Sequence, residues 1–362
     1  MTTAWAVPPL SVGDLAPWFV APTPSNPVFN FSTLSGRYLL LTFLPSDPAM
    51  RAEFFQAAAA LGQRIDDHNL AAFTVITDPE SIAAARDRAP GMRWFLDADR
   101  AVSRLYGAVD DTGAEHPFCL LLDPSLRVLA RAPLDEHRRV FDEIERLPAV
   151  DGYAGPPLHA PVLIVPRVFE PTFCRRLIDH YDAVGGAPSG VMRDVGGKTV
   201  GVMGSFKNRR DVFIDDPEFR KEIMTRLSRR LIPSIQRALQ FTPTRLERYL
   251  VACYDAAEGG YFRPHRDNET LGTAHRVFAV SINLNAEEFE GGDVRFPEFG
   301  QRTYRPPTGG AVVFSCSLQH EATRVTRGRR YAFLPFFYDE AGAALREANM
   351  QHVDAGVVLH TS

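Results

Sequence analysis

The sequence predicts a two-domain protein, an α/β domain followed by a mainly antiparallel β-sandwich or barrel carried on helices. Three observations predict it. Apolar strand-like runs alternate with helical segments in the first 148 residues, the pattern of βαβ units and a partly parallel sheet. Leu147–Pro161, LPAVDGYAGPPLHAP, holds four prolines and two glycines in fifteen residues and reads as a connector. From Arg248 onward short strand runs follow one another between Gly- and Pro-containing turns, with no long helix before Ala341.

In the first domain, residues 1–148, the order is a strand at Tyr38–Leu44, a helix at Arg51–Asp66, a strand at Ala72–Thr77 and a helix at Pro79–Arg88. A strand at Arg93–Leu96, a hairpin of Phe118–Leu122 with Arg127–Arg131, and a helix at Asp135–Arg146 complete it. The connector is placed at 149–161 and the second domain at 162–362. There, Pro171 suits the first turn of a helix whose apolar face is Phe173, Leu177, Ile178 and Tyr181. Asp215, Asp216 and Pro217 open another. After them Phe219, Ile223, Leu227, Leu231, Ile235 and Leu239 recur every four residues, a stripe that lays one helix, or two broken near Pro233, against a sheet. Residues 185–211, rich in Gly with interspersed charges, read as a surface loop or a lid over a site, and Arg209 with Arg210 as a solvated or substrate-facing pair. Strands follow at Arg248–Tyr254, Val277–Asn285, Val294–Phe296, Ala311–Ser315 and Tyr331–Tyr338.

Composition narrows the function classes. The 362 residues carry a formal net charge of -4, so no overall basic field draws the chain to nucleic acid or to an anionic membrane surface. No run of about 18 apolar residues occurs, and the N-terminal stretch lacks the basic and apolar regions of a leader, which points to a cytoplasmic protein without a membrane partner. Cys119, Cys174, Cys253 and Cys316 show no paired spacing and read as reduced structural thiols.

The chemistry gathers in the second domain. His265 and Asp267 stand two apart in PHRDN, and His320 follows 53 residues after Asp267. Alternate residues of a strand share a face, so an imidazole and a carboxylate can converge there, with the second imidazole supplied by a neighbouring strand. Two histidines and one carboxylate leave three positions open on an octahedral metal, which suits Fe(II), O2 and a bidentate co-substrate. A lone His-x-Asp arises easily by chance; Arg330, ten residues after His320, and Tyr254, which ends a strand just upstream, add a guanidinium fork and a phenol suited to gripping a carboxylate.

YLVACYDAAEGGYFRPHRDN, HRVFAVSINLN, EGGDVRFPEFG and PPTGGAVVFSCSLQHEATRVTRGRRYAFLPFFYD together resemble the Fe(II)/2-oxoglutarate-dependent dioxygenases of the prolyl 4-hydroxylase type, hypoxia-sensing prolyl hydroxylases included, over residues 248–339. The resemblance implies a double-stranded β-helix, or jelly roll, with His265, Asp267 and His320 as iron ligands and as the catalytic centre. It implies Arg330 as the anchor of the distal 2-oxoglutarate carboxylate, Tyr254 and Asn283 as further co-substrate contacts, and Arg276 as a residue near the substrate mouth. The reaction implied consumes 2-oxoglutarate and O2, releases succinate and CO2, and hydroxylates an unactivated C–H of a peptidyl proline or other amino-acid-like substrate, with ascorbate as a reductant. Hydroxylation of a small metabolite or lipid is the alternative enzyme reading, and a scaffold with a vestigial metal site the alternative outside enzymes; four intact positions, His265, Asp267, His320 and Arg330, weigh against the latter.

LSVGDLAPWFVAPTP, FSTLSGRYLLLTFLPSDP and WFLDADRAVSRLYGAVDD resemble the peroxiredoxin branch of thioredoxin-like folds. Peroxide reduction needs a thiolate at a helix start. After Pro45 the chain reads SDPAMRAEFF, and no cysteine precedes Cys119, so the domain is expected to be non-catalytic and to serve docking or homodimerisation.

Overall fold

A computed structural model describes residues 9–360. The chain divides into two compact units, one reaching His159 and including Pro297–Gly300, the other formed by Ala160–Phe296 and the chain from Gln301.

The first unit is built on a five-stranded sheet in the order Met92–Leu96, Leu70–Ile76, Tyr38–Phe43, Phe118–Leu122, Val128–Pro133. Its first three strands run parallel and the last two pair antiparallel, the thioredoxin-like arrangement. Every residue of Tyr38–Phe43, Leu70–Ile76 and Phe118–Leu122 is buried. Both faces are therefore covered, which is why these strands read as continuous apolar runs and not as alternation. One face packs on Phe31, Phe95 and Tyr106, the other on Phe54, Val140 and Ile144. The helix expected at Arg51–Asp66 is Pro48–Ala58, capped by Asp47 through the Ala49 amide at 2.8 Å and followed by 3-10 turns, Ala59–Arg64, in which Gly62 leaves helical geometry at φ +43°.

The second unit stacks two sheets as a jelly roll. The larger orders Arg245–Glu247, Phe336–Tyr338, Phe278–Asn283, Arg329–Phe333, Leu250–Asp255, Arg210–Phe213 and Ala187–Pro188, with Ala311–Ser315 and Leu163–Val165 branching from Phe278–Asn283. The smaller orders Lys207–Asn208, Tyr261–His265, His320–Ala322, Val294–Arg295 and Thr303–Tyr304. Helices Pro171–Val184, Pro217–Arg230 and Ile232–Leu239 cover the larger sheet. The four-residue stripe does this: Ile223, Leu227, Leu231 and Ile235 are fully buried beside Val251, Val280, Ile282 and Phe333. Burying a side chain of this size stabilises by roughly 1.5–3 kcal/mol. The break falls at Leu231, and Pro233 takes the first turn of the second helix, where its missing N–H costs no bond.

Strand parity then sets the inner face. With Val251, Val280, Ile282, Tyr331 and Phe333 given to the helices, their alternates Ala252, Tyr254, Ser281 and Arg330 are left for the opposite side.

Two expectations are corrected here. Residues 185–211 are not a loop: Val191–Val195 and Lys198–Met203 form an antiparallel hairpin, joined in parallel by Val353–His360. Val191, Val195, Thr199, Val200 and Val202 supply the β-branched residues, and Gly196 and Gly197 turn at φ +59° and +78°, the left-handed pair that a tight hairpin demands. Nor is Arg209 solvated; it is 7% exposed and paired with Asp211 at 2.7 Å. Among the described residues no helix is long and apolar enough to cross a membrane, and all four cysteines are free and buried.

Candidate metal centre

His265 ends the strand Tyr261–His265, and His320 opens His320–Ala322 directly opposite it in antiparallel register. Asp267 follows two residues after His265 and is held by its amide on the Cys316 carbonyl at 2.9 Å. One ligand atom from each of the three lies within 4.8 Å of the others. Asp267 Oδ1 is 3.6 Å from His265 Nε2, and Oδ2 is 3.2 Å from His320 Nε2.

The outer nitrogens show which way the rings point. His265 Nδ1 sits 2.7 Å from the Arg263 carbonyl, and His320 Nδ1 3.0 Å from the Leu318 carbonyl. A carbonyl only accepts, so each Nδ1 carries the proton and each Nε2 turns a lone pair toward the shared point. Burial, and then the neighbouring His320 ring, pulls the His265 pKa down to about 4. Burial alone would raise Asp267; the two imidazoles outweigh it and hold the carboxyl well below its ordinary value. Two imidazole nitrogens and a carboxylate oxygen brought to one point are a donor set that fits Fe(II).

Aromatic rings pack this cluster. Phe262 stacks on His265 with centroids 3.5 Å apart, and Phe314 lies 4.5 Å from His320.

Across the cavity stands the larger sheet. Arg330, 2% exposed, lies opposite Tyr254 in the antiparallel pair, with its guanidinium 5.1 Å from the Tyr254 ring. Its hydrogen bond runs from Nη2 to Ser281 Oγ at 2.8 Å, and burial lowers its pKa. Among the described residues no carboxylate lies within ion-pair distance of it. Tyr254 Oη stands 3.4 Å from an Arg209 nitrogen. His265, Asp267, His320, Tyr254, Ser281, Arg276 and Arg330 all line one cavity.

Asn283 is not brought to it. It shares Ser281's face, but its amide donates to the Pro306 carbonyl at 2.8 Å, deep in the sheet. Ser281, one alternation earlier, supplies the hydroxyl that meets Arg330; strand parity alone would have found it. Arg276 does reach the cavity, with its fork engaged. Glu247 takes two of its nitrogens at 2.9 and 2.6 Å, and a third stands 3.3 Å from the Asp267 carbonyl. Glu247 also accepts from His275 at 2.8 Å. Against the upward push of burial, the His275 bond and the Arg276 charge hold the Glu247 pKa well below its ordinary value. No motif announced this clamp on the Asp267 turn, since Glu247 comes from one strand and His275 with Arg276 from the turn before another.

Residues 249–338 match the profile of the 2OG-Fe(II) oxygenase superfamily. A PKHD-type hydroxylase of Synechococcus sp. is 26% identical over 112 residues, 28% of this chain and 49% of that protein. One of Pseudomonas fluorescens is 34% identical over 100 residues, 25% of this chain and 42% of that protein. The chain thus spans about half the length of the curated relatives it matches. Among solved structures, a Pseudomonas putida prolyl-4-hydroxylase aligns with 49% of this chain and 92% of its own at 18% identity and a TM-score of 0.39. Mycobacterium tuberculosis AhpC aligns with 38% of this chain and 94% of its own at 17% identity and a TM-score of 0.30. The residues matched by the 2OG-Fe(II) oxygenase superfamily profile include His265, Asp267, His320, Tyr254, Ser281 and Arg330.

Proposed function

We propose that the protein is a 2-oxoglutarate-dependent dioxygenase that hydroxylates an unactivated C–H of a peptidyl proline or other amino-acid-like substrate. One observation carries this reading: two Nε2 lone pairs and the Asp267 carboxylate converge on one point and face, across a cavity, a buried guanidinium with no carboxylate of its own. His265, Asp267 and His320 would hold Fe(II), which when bound supplies the coupling of O2 reduction to decarboxylation of 2-oxoglutarate. The balance is substrate C–H, 2-oxoglutarate and O2 in; substrate C–OH, succinate and CO2 out.

Each protein group then has a physical task. Arg330 offers a planar fork to the far carboxylate of 2-oxoglutarate, with Tyr254 and Ser281 fixing the approach. Buried in low dielectric, that pairing is worth more than in water. The carbonyls of Arg263 and Leu318 keep the imidazoles in one tautomer, and Arg276, tied by Glu247, steadies the Asp267 turn. Phe262, Phe314 and Phe336 exclude water from the surroundings of the substrate C–H. Ascorbate fits as the reductant that recovers the ferrous state.

The first unit is assigned no peroxide chemistry. Cys119 is fully buried in a central strand, and burial raises its pKa to about 12. Docking or homodimerisation is the role left to this unit. The test of the whole reading is anaerobic loading of the full chain with Fe(II), then exposure to lysate peptides and metabolites with O2 and 2-oxoglutarate. Succinate formation and products one oxygen atom heavier, both dependent on 2-oxoglutarate, are expected; no succinate from the iron-loaded protein overturns it.

A further inference from the structure

The cavity that holds the triad is walled by more positive charge than 2-oxoglutarate requires. Arg209 is neutralised by Asp211, Arg276 by Glu247, and Arg266 has Glu269 at 3.7 Å. Arg330 is reserved for the co-substrate under the reading above. Besides Arg193, whose guanidinium stands 4.8 Å from the centre of the Phe206 ring, that leaves Lys207 and Arg248, which also line the cavity.

Neither has a carboxylate committed to it. Among the described residues the Lys207 ammonium donates only to neutral oxygens, Ser189 Oγ at 2.7 Å and the Gly190 carbonyl. Arg248 makes no hydrogen bond at all among the described residues: its Nε is buried without a partner, and Glu247, already bound by Arg276 and His275, comes no nearer than 3.9 Å. Its backbone sits at φ +68°, a left-handed conformation costly for a side chain of this size and kept only where the surroundings fix it. Burial and then Arg209 pull the Lys207 pKa well below its usual value, while burial and then Arg276 bring Arg248 down to about 10. A guest anion would relieve both.

Both face that cavity, each beside an aromatic ring. Lys207 stands 5.0 Å from the centre of the Phe262 ring, whose face stacks on His265. Arg248 lies 4.2 Å from the centre of Phe336, the ring that also carries Arg276 at 4.1 Å, and Arg276 reaches the Asp267 carbonyl. Each cation is therefore one aromatic ring, or one ring and one guanidinium, away from a triad residue. We propose that Lys207 and Arg248 form a carboxylate-binding subsite for the substrate to be oxidised, so that the reacting C–H lies a few bonds from a carboxylate. The proposal rests on the dioxygenase reading for its link to catalysis. A monoanion suits the site better than a phosphate dianion, because Asp267, Glu269 and Glu321 line the same cavity and repel added negative charge. Arg248 offers the bidentate fork and Lys207 a point charge.

The full chain, anaerobic and loaded with Fe(II) and saturating 2-oxoglutarate, is titrated calorimetrically with three probes. N-acetylproline carries an α-carboxylate, the α-amide of N-acetylglutamate carries a side-chain carboxylate, and N-acetylprolinamide carries none. Binding of one or both acids without binding of the neutral amide is expected, and which acid binds tells a free or C-terminal amino acid from an acidic side chain. Lys207→Met and Arg248→Gln should each weaken the acid by about tenfold or more, roughly 1.4 kcal/mol, while Lys207→Arg and Arg248→Lys recover most of it. Lys221→Met, on an exposed helix face, is the control that changes nothing. Equal binding of the neutral amide, no binding of either acid, displacement of the acid by added 2-oxoglutarate, or unaltered affinity in folded, iron-retaining variants overturns the subsite. Failure of the dioxygenase reading would appear separately, as wild-type protein that makes no succinate yet binds the acid.

Discussion

His265 and His320 are Cα partners on adjacent antiparallel strands, so one backbone register places both imidazoles, and their rings lie 4.3 Å apart between centroids. The proposed iron site is therefore as stable as that pairing.

Removing either imidazole should empty it. His265→Ala or His320→Ala is expected to take iron in the anaerobically reconstituted protein from one equivalent to a small fraction of that, measured by elemental analysis, and to abolish uncoupled succinate formation. Full iron occupancy in a folded variant would exclude the triad as the binding site.

Arg330→Ala should spare the metal and damage the co-substrate. Losing one partner of a buried charge-assisted pair costs about 2–5 kcal/mol, so the 2-oxoglutarate requirement should rise about 10²-fold or more with iron content unchanged. An unaltered concentration dependence would move the anchor elsewhere.

Glu247 governs an acid limb of stability. Its carboxyl titrates lower folded than unfolded, so its contribution is fully present above the ordinary glutamate value, about 4.3, and is lost as pH falls below that. Glu247→Gln should unfold at lower urea at neutral pH and lose stability less steeply below that pH, by up to about 1.4 kcal/mol per pH unit. Parallel wild-type and variant curves would show that the clamp on Arg276 does not operate through this carboxylate.

Residues 1–159 should consume no peroxide in the presence of thiols. A thiol with a pKa of about 12 is almost entirely protonated at neutral pH, and Cys119 is sealed in the sheet with Thr42 Oγ1 3.7 Å from its sulfur. Measurable thiol-dependent turnover that disappears in Cys119→Ser would return a catalytic role to this unit.

The chemistry was more legible than its support. His265, His320 and Arg330 stand on strands where their spacing could be read, Asp267 stands on the turn beyond His265 and not on the strand that alternation called for, and the helical stripe from Ile223 to Ile235 announced its buried face by period. The hairpin at 191–203 escaped because its glycines suggested a loop, although Gly196 and Gly197 mark the turn between two β-branched runs. Arg209 looked like half of a solvated pair, yet parity turns it inward to Asp211 while Arg210 bonds the Gly186 carbonyl. Asn283 was placed by its neighbours in sequence, whereas Pro306, 23 residues on, decides where its amide points. The Glu247 clamp and the Lys207–Arg248 wall join residues far apart in the chain, and no local pattern encodes such meetings.

The two triad histidines belong to the smaller sheet and Arg330 to the larger, with no residue shared between the two anchoring points. Under the function proposed above, the gap between the sheets would fix the length of the dicarboxylate that the metal and Arg330 can hold at once. Core substitutions beneath the larger sheet, at Val280 or Ile282, would reset that gauge without touching a single polar group.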